Sequence, residues 1–354
     1  MVRPAKDGRH LADLVQLAIP LCQAAQKCCS RAGPGRPPDY EEWQIAVLIF
    51  VAVLNRRKSK SSQWRFLCQH QQALLKSLEL PRLPARSTYF ERHQRAWPLF
   101  QKAIELQGKK ALQEHVTCAR VVAADKSLIA AKGPPWHQGQ RKKGKRSRGT
   151  DIAAGWGYSP HDDWVWGYAY EVVVSATRKH VVFPLLASAD RGSCSEQRSF
   201  VQKIPRLPRS VRHVLLDSGY DSNELAEDVE YLPSGKLTGR RCVCPLHSHF
   251  GKPAVGQTIR KGKRERARLR RARRDRFYHN KRGRSLYARR KKTVEPFNQW
   301  FKHLFELEDR VWHRGLENNR TMILAAIFCY QLLVRYAFRK GRRDGQIEWI
   351  LDGL

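Results

Sequence analysis

Near residue 116 the spacing of apolar residues changes, and this change constrains the fold more than any other feature of the chain. Before it, apolar residues recur at helical intervals, as over 12–25 and 43–54. After it they come in short runs rich in Val, Trp and Tyr, the pattern of buried strands. These runs span 121–124, 164–174, 181–186 and 211–216, with a last short strand at 241–245. Residues 175–180 join two of the runs as a hairpin, and helical patterns at 195–204 and 221–227 separate the rest. The order predicts a mixed sheet with helices on its faces, preceded by an all-helical segment over 1–115.

Within the first 115 residues, the Pro- and Gly-dense loop 31–38 ends one helix, and Asp39 is positioned to cap the next. Ser87 is a second predicted cap, and the helix around it carries Arg86, Arg92, His93 and Arg95. Short helices with tight turns, the last of them basic, fit a helix-turn-helix-like reader using Arg86 and Arg92. A plain helical domain with a solvated basic face fits the same pattern.

Charge narrows the partner. The 354 residues hold 67 Lys and Arg against 32 Asp and Glu, a formal net charge of +35. With 42% hydrophobic residues and ten Trp the chain can still build cores, so it is not a disordered basic tail. Excess positive charge of this size points to nucleic acid. A membrane is a weaker candidate, because the longest apolar stretches, 43–54 and 322–333, fall short of the roughly 20 residues needed to span one. Arg3, Lys6, Asp7 and Arg9 break up any signal peptide, so a cytoplasmic, nucleoid-associated location is expected. Segments 132–148 and 260–292 are dominated by Lys and Arg, the second holding eighteen. Both read as solvated segments with nothing to bury, suited to a phosphate backbone. Nine irregularly spaced cysteines read as reduced thiols. Cys242, Cys244, His247 and His249 are soft ligands, but they stand too close together to wrap one tetrahedral zinc.

Against this background three acids stand out. Asp125 and Asp217 each end an apolar run, and Glu295 heads a helical pattern whose stripe is Phe297, Phe301, Leu304 and Phe305. Carboxylates that would repel a polyanion become useful when they ligate Mg²⁺ or Mn²⁺. Asp at a strand end can also be a simple cap. Asp190 competes for the role of second acid, and Asp221 reads as a helix cap.

The chain resembles the DDE transposases of bacterial insertion sequences, of the families four and five type. Its segments GRPPDYEEWQ, LPARSTYFERH, AADKS, WGYAYEV, LLDSGYDS and VEPFNQWFK come in that group's order. The resemblance implies an RNase H-like catalytic domain over 116–340, with a basic insertion at about 250–292 and a tail at 341–354. It implies Asp125, Asp217 and Glu295 as a catalytic, metal-binding triad for two Mg²⁺ ions, with Mn²⁺ as a substitute. It further implies a homodimer that cuts the element's terminal inverted repeats and joins them to target DNA. Of the group's Tyr-Arg-Glu-Lys signature, Glu295 and Lys302 keep their spacing. The Arg position falls on Lys291 with Arg290 beside it, and Tyr287 stands one residue early; with Lys302, these residues are implied as contacts to the DNA phosphates. The group's His after Trp-Gly-Tyr is absent, with Glu171 nearby. A metal-dependent nuclease without strand transfer, or a decayed DNA-binding copy, is the alternative.

Overall fold

A computed structural model of the chain describes residues 9–29, 39–177, 179–247 and 263–353. The loop 31–38, residues Arg3, Lys6 and Asp7, His249 and the start of the basic insertion lie outside the described residues.

Among the described residues six helices come first: α1 (Arg9–Cys29), α2 (Glu42–Leu54), α3 (Lys60–Gln69), α4 (Gln71–Leu78), α5 (Arg86–Arg95) and α6 (Trp97–Gln113). Two predicted caps move. α2 is capped by Glu41 rather than Asp39, because Glu41 and Gln44 bond reciprocally to each other's backbone N–H groups. α5 begins before Ser87, since the Tyr89 N–H already bonds the Ala85 carbonyl at 2.9 Å. α2 is apolar on every side and is correspondingly buried from Gln44 to Leu54.

The sheet follows, built from β1 (Val121–Ala130), β2 (Gly155–Ser159), β3 (Asp163–Ser175), β4 (Pro184–Arg191), β5 (His213–Leu215) and β6 (Arg241–Val243). Interspersed are α7 (Gln138–Lys142), α8 (Glu196–Val201) and α9 (Asn223–Glu230). β3 pairs antiparallel with β1, β2 and β4, whereas β5 and β6 run parallel to β1. The result is one six-stranded mixed sheet. β2 gave no strand signal because glycine interrupts it. A Cβ at Gly157 would lie 2.7 Å from the Gly192 carbonyl oxygen, so the close approach that needs glycine also hides the strand.

The chain ends in α10 (Lys263–His279), α11 (Lys281–Lys291), α12 (Val294–Leu304), α13 (Leu316–Arg339) and α14 (Glu348–Asp352). The apolar stretch 322–333 belongs to the 24-residue α13, which is long and apolar enough to cross a membrane. Its most apolar window is 94% buried inside the fold, packed against α2, α5, α6 and β4. It ties the N-terminal helices to the sheet: Gln331 donates to the Ile104 carbonyl at 3.0 Å and to the Pro184 carbonyl at 2.8 Å. One turn later Arg335 forks onto both carboxylate oxygens of Glu114 at 2.5 and 2.6 Å. Burial works against charge on Glu114, but hydrogen bonds from Arg335 and Arg339 outweigh it and hold its pKa down at about 2.

Candidate active site

β1 is longer than its apolar run, so Asp125 lies inside the strand rather than at its end. The strand continues because β3 pairs with it from Val122 through Ala130. What ends near Asp125 is the parallel pairing, whose last register is Ala123 with Leu215. Asp125 and Asp217 each stand two residues beyond that pair. Asp217 keeps an extended backbone, at φ −82° and ψ −179°. Side chains two residues apart share a face, so the two acids end up as neighbours at the rim of the parallel strands, where ligand sites form.

Local bonds hold each carboxylate. Asp217 Oδ1 accepts from the Gly219 N–H at 3.0 Å, and the Cys244 thiol donates to the Asp217 carbonyl at 2.8 Å. Asn298 Nδ2 donates to Asp125 Oδ2 at 2.9 Å. Asn298 stands three residues after Glu295 on α12, which seats that helix against β1 through one turn. Glu295, in the first turn of α12, is half exposed.

One guanidinium joins all three acids. Arg290, 7% exposed, donates through Nη2 to Asp125 Oδ1 at 2.7 Å and Asp217 Oδ2 at 3.4 Å. Its Nη1 reaches Glu295 Oε1 at 3.1 Å. Burial pushes the Asp125 pKa upward, Arg290 opposes this, and Asp217 and Glu295 add to it, leaving Asp125 at about 7. Burial disfavours charge on Arg290, yet the surrounding carboxylates raise its pKa.

The expectation that nothing in the basic segment could be buried is therefore wrong: Gly283 and Leu286 are buried on α11, and so are two of the arginines. Arg290 is buried among the triad. Arg274 is also 7% exposed, bonded to Asn223 Oδ1 at 2.8 Å and 3.6 Å from Asp221. Acid partners make that burial possible. Asp221 is thus a buried counter-ion for Arg271 and Arg274 rather than a cap, and Ser222 caps α9 instead. Asp190 is paired with Arg320 at 2.8 Å on β4.

The acids open onto a cleft of 810 Å³ that Lys302, Lys291 and the β2–β3 turn also line. Lys302 Nζ donates to the Leu128 carbonyl at 2.7 Å, and Lys291 is exposed. Tyr287 is half-buried, its ring edge-on to Tyr278 at 5.1 Å. Arg86 and Arg92 lie on α5 away from this cleft. Arg86 bonds Ser61 Oγ at 2.9 Å, while Arg92 is turned inward onto the Tyr40 carbonyl and Glu42. At the cleft rim the β2–β3 hairpin carries two exposed rings, Tyr158 and Trp164, 5.4 Å apart.

Glu196 also lines the cleft, as do Asp162 and Glu308, and sequence reasoning missed it. It follows the N-cap Ser195 and reads as an ordinary first-turn acid of α8, so only tertiary packing brings it to the site. Burial, then the charge of Asp217, pushes its pKa up to about 7. Cys242 and Cys244 are buried, and burial raises both thiols.

Among the described residues no three His, Cys, Asp or Glu side chains already stand as a ligand set. At the cleft the Arg290 guanidinium stands between the acids, a cation around which three hard oxygen donors converge. That donor set suits Mg²⁺ or Mn²⁺.

Residues 117–332, more than half of the chain, match the transposase DDE domain family, and the chain belongs to that family. It is accordingly an enzyme of DNA cleavage and transfer, in a family that generally uses divalent metal ions. No curated protein matches the chain. Among solved structures, it is similar to the cryo-EM structure of a piggyBac transposase synaptic complex with hairpin DNA. The identity is 12% and the TM-score 0.41, covering 99% of this chain and 79% of that one.

Proposed function

We propose that the chain is the transposase of a bacterial insertion sequence, with an RNase H-like catalytic domain over 116–340 and Asp125, Asp217 and Glu295 as its catalytic triad. The observation that carries this reading is the convergence of three acids, from positions 125, 217 and 295, on one guanidinium at 2.7 to 3.4 Å. The strand order, with β3 between β4 and β1 and with β5 and β6 parallel to β1, supports the RNase H-like assignment. The three acids would hold two Mg²⁺ or Mn²⁺ ions, which supply charge neutralisation at a scissile phosphate and a readily ionised water.

The remaining work falls to the chain's own groups. Asn298 fixes Asp125 so that one carboxylate oxygen faces the cleft, and the Gly219 N–H does the same for Asp217. Lys302 and Lys291 meet phosphate oxygens as point charges at the cleft wall. Exposed Lys142, Lys143 and Lys145, with the exposed residues of α11, extend the positive surface along the backbone of the duplex. The helices before residue 115, with Arg86 on α5, form the helix-turn-helix-like end-recognition part. The substrates are the element's terminal inverted repeats and target DNA, held by a homodimer at the nucleoid.

Strand transfer with pre-cut ends tests this reading. Duplexes ending in the element's terminal repeat with a free 3′-hydroxyl are expected to be joined to a target plasmid in Mg²⁺. Cleavage of uncut ends without any joining of pre-cut ones would reduce the protein to a nuclease. Binding with neither reaction would mark a copy that has lost its chemistry.

A further inference from the structure

We propose that Arg290 is a built-in counter-ion for the metal position: it holds Asp125, Asp217 and Glu295 together in the resting protein, and it leaves when a divalent ion enters. The inference rests on the triad reading above. Three carboxylates converging on one point would repel one another, and a fork of N–H donors at 2.7, 3.4 and 3.1 Å is what keeps them converged. One positive charge against three carboxylates still leaves the cluster short of positive charge, a deficit that a divalent ion fills better than a guanidinium does.

The chain around Arg290 suits departure. It is the penultimate residue of α11, before the turn at Lys292 and Thr293 that leads into α12. Its side chain can therefore swing without breaking either helix. Its buried Nε–H has no acceptor among the described residues, so the resting position leaves one donor unsatisfied. Lys291 and Lys292 next to it are exposed, so a duplex drawn to this surface brings phosphate within reach of the guanidinium. Phosphate offers the same bidentate geometry as the carboxylates. Docking of DNA and opening of the metal position are then coupled, and coupling of this kind is reciprocal.

Mn²⁺ binding to the full chain without DNA, followed by electron paramagnetic resonance, tests the proposal. Arg290→Gln is expected to bind Mn²⁺ at least tenfold more tightly than the wild type, with Arg290→Lys between them. Damage to the fold would weaken binding, so a gain of affinity separates a gate from a merely structural arginine. Equal affinity in wild type and Arg290→Gln would overturn the gate and leave the triad standing. Loss of the triad reading has a different signature: Mn²⁺ binding that Asp125→Asn does not weaken in any background, which removes the gate as well. If Arg290→Gln does not fold without ions, Arg290→Lys still decides, because its Mn²⁺-induced rise in unfolding temperature should exceed the wild type's. A rise no larger than the wild type's contradicts the gate. Adding a short duplex should tighten Mn²⁺ binding more in the wild type than in Arg290→Gln. An equal effect in both would overturn phosphate as the group that draws Arg290 out.

Discussion

Single-turnover cleavage of an element-end duplex is expected to fall by about 10³-fold or more in each of Asp125→Asn, Asp217→Asn and Glu295→Gln. Affinity for the same duplex should stay within about threefold, because the Lys and Arg surface that supplies it is untouched. The amide replacements keep the shape of each acid and can still accept a hydrogen bond from Arg290, so the fold should survive them. Double variants should be little worse than single ones, since the three acids act as a unit. A variant that cleaves at the wild-type rate would remove that residue from the site. A comparable loss in Asp190→Asn would put the second acid on β4 instead, although the pairing of Asp190 with Arg320 argues against it.

The largest expected effect on stability lies one layer below the cleft. Lys203 and Glu171 are 3% exposed each and 3.0 Å apart. Tyr220 donates to the other Glu171 oxygen at 3.2 Å, and Ser188 and Ser199 surround the ammonium. Burial lowers the Lys203 pKa, and Glu171 is the chief group opposing that shift. Glu171→Ala is expected to cost about 3–5 kcal/mol in urea unfolding, because it leaves an ammonium buried without its counter-charge. Replacing both residues, as Glu171→Leu with Lys203→Met, should recover most of that loss. A Glu171→Ala cost below about 1 kcal/mol, the scale of an exposed pair, would mean that water reaches Lys203.

Much of the architecture was legible in the sequence. The period change near 116, the β-rich runs and the α12 stripe correspond to observed elements. Asp125 and Asp217 were conspicuous because a charge that follows a buried run needs a reason. The end of β1 was not legible, since Lys126 and Ser127 interrupt the apolar pattern while β3 continues the pairing past them. Arg290 was read along the chain as a phosphate contact. Its distance from Glu295 was counted through a helix break at Lys292 and Thr293, where sequence spacing no longer reports direction. Glu196 and the burial of Arg274 were invisible for a related reason, because each depends on a partner far away in sequence. α13 was underestimated because Asn319, before the apolar run, and Arg335, after it, read as its polar limits, although both bond inside the core.

On the proposed reading Asp125, Asp217 and Glu295 together hold the metal ions. Iron-directed cleavage of the polypeptide tests it most directly: Fe²⁺ is bound in place of Mg²⁺, ascorbate and peroxide are added, and the cut sites are mapped by mass spectrometry. Cuts clustered around residues 125, 217 and 295, suppressed by excess Mg²⁺ and lost in Asp125→Asn, are the expected result. Cuts confined to other segments, such as the one holding Cys242 and Cys244, or cuts indifferent to Mg²⁺, would contradict it.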